Sequence, residues 1–251
     1  MPAYSLYLTL HILAGTAALA TFWSAAALRK GSLAHRRCGQ AYLLAMAVVI
    51  ASGVPLTIQR LIEGRLVTAA FLGYLLVITA TGVWSAWRAV RDKHDVVRYT
   101  GRVFTGFALA SILSGTGVLV LGLRLGAPLL IGFSAAGMLG GGGMLLKRVR
   151  RERLAARPRW WVVEHYSAML GNGIATHIAF LLLGLPRLLP MVDGTVLHYA
   201  AWFGPLGLAV IAKVLLDLRW KARRPVAPPR AVPGRRQTSA SVGQPSPVPR
   251  L

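Results

Sequence analysis

Charge is scarce and one-sided in this chain. Only 7 of its 251 residues are acidic, and charged residues of both signs make up 14%, where a soluble domain carries about a quarter. With a mean hydropathy of +0.56, that deficit excludes an ordinary soluble globular domain and indicates the membrane class. The single cysteine, Cys38, excludes an internal disulfide framework. No CxxC exists to hold zinc, an iron–sulfur cluster or covalently attached haem. GxSxG, HExxH and P-loop patterns are missing too. No acid falls near the middle of a hydrophobic run, which weighs against a proton-coupled pump built on intramembrane carboxylates. A cleavable signal peptide is not expected, because the first apolar stretch is too long for an h-region and its positive residues follow it.

What remains is long apolar runs. Stretches able to cross a ~30 Å hydrocarbon core fall at 4–28, 41–59, 67–87, 103–123, 128–146, 162–185 and 199–216. Strand-like alternation is missing, and a helix satisfies its own backbone in lipid, so an all-α bundle of about seven transmembrane helices is expected. Of the 29 Lys and Arg residues, all but Arg60, Arg65, Arg124 and Arg187 fall in loops 29–40, 88–102 and 147–161 or from Lys213 onward. That asymmetry puts the N-terminus outside and the C-terminus in the cytoplasm by the positive-inside rule. Trp23, Trp84, Trp87, Trp160, Trp161 and Trp220 fall at the inner boundaries and Trp202 at the outer one, as interfacial anchors do. The net charge of +22 is thus dispersed among membrane-bounded loops, which argues against nucleic-acid binding. Contact of the basic loops and tail with anionic lipid is one reading, and a solvated tail that reinforces the topology is the favoured alternative. Residues 222–251, rich in Pro, Arg and Ser, read as a disordered basic cytoplasmic tail.

A weak repeat runs through the first half. Trp23-Ser24, Arg29, Gly39 and Ser52-Gly53 recur as Trp84-Ser85, Arg91, Gly101 and Ser114-Gly115, giving a plan of three hairpins plus a final helix. Small residues at four-residue spacing predict a tight seam between the fourth and fifth spans: Gly106, Ala110 and Ser114 against Gly132, Ala136 and Gly140, with Gly137 and Gly141 alongside.

The histidines are the best candidates for chemistry. His11, His177 and His198 belong to the outer half, and His35, His94 and His165 to the inner side. His11 lies roughly 10 Å inside the start of the first span and His177 roughly 12 Å from the outer end of the sixth. At a matched depth, with Ala14, Gly15 and Gly173 one turn away, two neutral imidazoles suit the axial positions of a b-type haem. The alternative is that they hydrogen-bond across helices. His165 and His177 point about 120° apart and do not share a partner helix well. Glu164-His165 reads as an interfacial anchor or solvated pair. His165, Asn172 and Thr176 form one stripe, which is expected to act as hydrogen-bonded glue, with a substrate path as the alternative.

Two regions carry a resemblance. One is His11-x3-Gly15 followed by Arg29-Lys30-Gly31-x3-His35-Arg36-Arg37-x-Gly39-x2-Tyr42. The other is Glu164-His165-x3-Met169-x-Gly171, continuing to His177-x-Ala179-Phe180. Together they resemble a family of uncharacterised bacterial multi-pass membrane proteins. The resemblance touches the first, second and sixth spans and implies a bacterial plasma membrane protein, with no reaction attached.

Three functions follow as expectations. The first is a membrane redox module with His11 and His177 holding haem iron near the outer face. The second is a small-molecule transporter, motivated by the hairpin repeat and the Asn172–Thr176 stripe. The third is a non-catalytic membrane assembly or partner protein.

Overall fold

The computed structural model describes residues 2–192 and 194–221; the sequence-predicted tail, 222–251, lies outside the described residues. Among them the chain is helical, with no strand. The long helices are α1 (Pro2–Ala27), α2 (Leu33–Ile62), α3 (Leu66–Arg91), α5 (Arg102–Leu125), α6 (Pro128–Val149), α8 (Trp160–Leu188) and α9 (Gly194–Lys221). Two short helices, α4 (Val96–Tyr99) and α7 (Arg151–Ala155), fold parts of the expected basic loops. Six of the long helices are long and apolar enough to cross a membrane among the described residues, namely α1, α2, α3, α5, α6 and α9. The remaining one, α8, carries Glu164, His165, Asn172 and His177 along its length.

The helices begin and end where local chemistry dictates. Ser32 caps α2 by accepting from the His35 N–H at 3.1 Å, so α2 starts ahead of the expected span and takes His35, Arg36 and Arg37 into its first turns. The end of α1 is closed from across the turn: Lys30 Nζ donates to the Ala25 and Ala26 carbonyls at 3.0 and 2.5 Å. Gly126, at φ 59°, closes α5, and Pro128 opens α6.

Packing centres on α3, which touches α2, α5, α6 and α8; α1 lies against α2 and α8, and α9 against α8. The α5–α6 pair is the tightest hairpin. A methyl group on Gly137 would sit 2.6 Å from the Ser111 carbonyl, and one on Gly115 would sit 3.0 Å from the Ser134 carbonyl. Gly141 is pressed against the Ala108 carbonyl. The seam therefore runs along Ala108, Ser111, Gly115 and Gly122 against Ser134, Gly137 and Gly141, all buried.

That corrects the expected phase. A methyl group on Gly106, Gly132 or Gly140 would meet no atom within 4 Å, and Ala136 is exposed. Helix α6 is so rich in small residues that two stripes of period four exist one residue apart. Spacing cannot choose between them; Tyr74 does, by seating its ring against Gly137. The repeat persists in part: Ser52 and its counterpart Ser114 each bond to the carbonyl four residues back, Val48 O and Ala110 O, and Ser52 in addition meets His11 of α1.

Opposite responses to one chemical change follow. Gly137→Ala is expected to destabilise the protein by about 1–3 kcal/mol, since a carbonyl blocks the added methyl. Gly140→Ala is expected to be neutral or stabilising by up to ~1 kcal/mol through helix propensity. Unfolding of both variants in the same detergent measures the difference.

Candidate functional site

The polar side chains singled out along α1 and α8 are engaged by specific partners on their own or neighbouring helices. His11 Nδ1 lies 3.1 Å from Ser52 Oγ on α2. Ser52 donates its own proton to Val48 O at 2.7 Å, so the imidazole is the donor. His177 Nδ1 lies 2.6 Å from Gly173 O and must donate to it. Its Nε2 then holds the lone pair and accepts the Trp23 indole N–H at 2.8 Å. Phe22 closes the pocket edge-on, 5.4 Å from the His177 ring. The lone pair that would bind iron is thus already used, in the neutral tautomer, to join α8 to α1.

Nor are the two histidines brought together. Thr176, beside His177, meets Met46 Sδ at 3.5 Å, whereas His11 meets Ser52, farther along α2. That separation along α2 corresponds to roughly 9 Å of depth. The matched depth expected from counting along separate spans is not met, because α1 and α8 are staggered. His11 faces α2, and His177 faces α1 lower in the bundle.

The stripe of α8 resolves into three separate contacts. His165 Nδ1 bonds to the Ala86 carbonyl of α3 at 3.0 Å. Asn172 is buried against Gly82. With its amide nitrogen toward Thr79 O at 3.2 Å and its oxygen toward the Val83 N–H at 2.9 Å, it spans one backbone pair of α3. Thr176 bonds to Asn172 O of its own helix at 3.0 Å. The first two join α8 to α3, as polar groups between packed apolar helices are expected to, while the third stays within α8.

A second device of the same kind was not legible in the sequence. Tyr74 of α3 donates to Phe133 O at 2.5 Å and accepts from the Gly137 N–H at 2.9 Å. One hydroxyl thus serves both ends of an i, i+4 backbone pair of α6. The only sequence signal was the presence of a tyrosine in one span and a glycine-rich face in another.

At the basic end the interfacial pair is corrected. Glu164 does not pair with His165 and is not solvated: it is 8% exposed and bonds to Lys147 Nζ at 2.8 Å and to the Tyr99 hydroxyl at 3.2 Å. Tyr99 packs among Trp84, Phe104 and Trp160. Burial, reinforced by the Glu164 carboxylate, holds its phenol well above the usual range. Trp160 and Trp202, expected at interfaces, are buried instead, Trp202 against Phe71 and Phe133. His35 Nδ1 joins Lys30 at the end of α1, 2.9 Å from Ala25 O. Burial lowers the Lys30 ammonium from its ordinary value. His94 and His198 are exposed. Among the described residues no three His, Cys, Asp or Glu side chains are grouped to hold a metal ion.

No family model, no curated protein and no solved structure matches the chain.

The two buried anchors on α8 differ in what they leave behind. Asn172→Ala is expected to cost about 1 kcal/mol, the scale of an intramembrane hydrogen bond. Glu164→Gln is expected to cost about 1.5–3 kcal/mol, because it removes a charged acceptor serving two donors. Thermal unfolding in mixed micelles ranks them, and the reverse order would contradict the assignment.

Proposed function

We propose that this chain is a seven-span protein of a bacterial plasma membrane, N-terminus outside, that works as a membrane-embedded partner protein with a lipid-facing basic end. Helix α8 supplies the seventh crossing in this reading. Its 29 residues exceed the roughly 20 a span requires, and its polar groups are covered by α1, α3 and α6. The resemblance to uncharacterised bacterial multi-pass proteins supports the cellular setting.

One observation carries the functional part of the reading. His11, His165, Asn172, Thr176 and His177, the residues with most chemical potential, are each engaged within their own helix or with a neighbouring one. What the protein presents at one end is charge. Arg36, Arg37, Arg91, Lys93, Arg98, Arg102, Arg150, Arg151, Arg153, Arg157 and Arg159 are exposed at one end. Clustered cations of this kind attract anionic headgroups, each by about 1 kcal/mol near the surface. A redox role through His11 and His177 would require the Trp23 bond to open and two rings that meet different helices to be brought together. A transport role would require Asn172 and Thr176 to leave their helix contacts.

Site-directed labelling tests the orientation on which this depends. In a Cys38→Ser background, single cysteines at Gly64 or Gly126 are expected to react with a membrane-impermeant maleimide in intact cells. Cysteines at Lys93 or Arg157 are expected to react only after the cells are opened. The reverse pattern would place the basic end outside and defeat the proposal.

A further inference from the structure

Between α2 and α3 runs a groove of about 530 Å³ that is open along its side. Gln40, Leu43, Leu44 and Ala47 line it from α2, and Trp84 and Trp87 from α3; it continues to Ala51 on the first helix and Ala80 on the second. Apart from Gln40 its lining is almost wholly apolar. From Gln40 to Ala51 the α2 wall rises roughly 16 Å, about half of a ~30 Å hydrocarbon core. It is therefore one leaflet deep.

The mouth of the groove is at the basic end. Arg88 lies 5.6 Å from the Trp84 ring and 5.8 Å from the Trp87 ring, and Arg91 lies 5.1 Å from Trp87. Asp92 engages Arg88 at 2.5 Å, while Arg91 is exposed with no acidic partner among the described residues. Arg36 and Arg37 are also exposed, about a turn of helix from Gln40. An apolar slot one leaflet deep, ending in tryptophans and unneutralised guanidinium groups, matches a long-chain amphiphile with a negative head. Neutral lipid would leave these cations without a counter-charge.

We propose that the α2–α3 groove is a binding site for one anionic phospholipid of the leaflet at the basic end. One acyl chain lies along Leu43, Leu44 and Ala47, and the phosphate sits among Arg91, Arg36 and Arg37, with the Gln40 amide below it. The site rests on the reading of the basic end as a headgroup face, and gives that face a specific ligand.

Native mass spectrometry of the full chain, released from nanodiscs holding equal phosphatidylglycerol and phosphatidylcholine, tests it. One phosphatidylglycerol is expected to stay bound per protein, with retention falling about fivefold for Arg91→Gln and again for Arg36→Gln. Ala47→Trp, at an exposed position on the groove wall, fills the slot without touching the charges and is expected to abolish retention. Retention of both lipids equally, or retention that survives Ala47→Trp, would overturn the groove site. Enrichment of several phosphatidylglycerols, without a single retained one, would overturn the groove and leave the basic-face reading standing. No enrichment at all would overturn both.

Discussion

The bundle depends on buried polar side chains that bond to the backbone of a neighbouring helix. Lipid is as apolar as leucine, so burying leucine against leucine gives a membrane helix little reason to prefer one partner or one rotation. A hydroxyl or amide aimed at a neighbour's carbonyl and N–H supplies both. Tyr74 does this to α6 at Phe133 and Gly137, and Asn172 does it to α3 at Thr79 and Val83. Each works only because a glycine, Gly137 or Gly82, lets the side chain approach the helix axis. Through these two contacts α3 receives α8 on one face and grips α6 with the other. The Thr81–Ser111 hydroxyl pair, at 3.0 Å, adds α5.

The basic end is built on a different principle. There, aromatic burial and paired charge work together: Glu164 accepts from Lys147 and Tyr99, and Asp92 accepts from Arg88, beside a layer of Trp84, Phe104 and Trp160. Breaking a largely desolvated pair strands a charge, which is why such a site resists local opening. Outside this layer stand the exposed arginines. A buried, paired inner layer thus underlies a strongly positive, exposed outer one.

How much of this is legible in the sequence varies with the physical quantity involved. Helix positions are, because hydropathy is a sum along one segment and needs no partner: the expected 67–87, 103–123 and 128–146 all lie within α3, α5 and α6. Depth and rotation are not. Counting residues from the ends of separate spans puts His11 and His177 level, but the stagger between α1 and α8 is set by contacts such as Phe22 against Gly173, which only the folded chain contains. The phase of the α6 glycine stripe fails for the same reason. Pairing Glu164 with its chain neighbour His165 misleads because adjacent helix residues face different partners. The expectation of glue holds for His165 and Asn172, which reach α3, though not for the Thr176 bond to its own helix, because it relies on a general cost, that of an unpaired polar group in apolar surroundings.

The most direct test is the free energy of unfolding of Tyr74→Phe in a lipid environment, compared with Tyr199→Phe at an exposed site. The phenylalanine ring fits the same space, so the change removes only the hydroxyl that serves Phe133 and Gly137. A loss of about 1–2 kcal/mol for Tyr74→Phe, with Tyr199→Phe unchanged, is the predicted result. Equal stability of both variants and the parent would contradict the claim that backbone-directed hydrogen bonds select the helix partners.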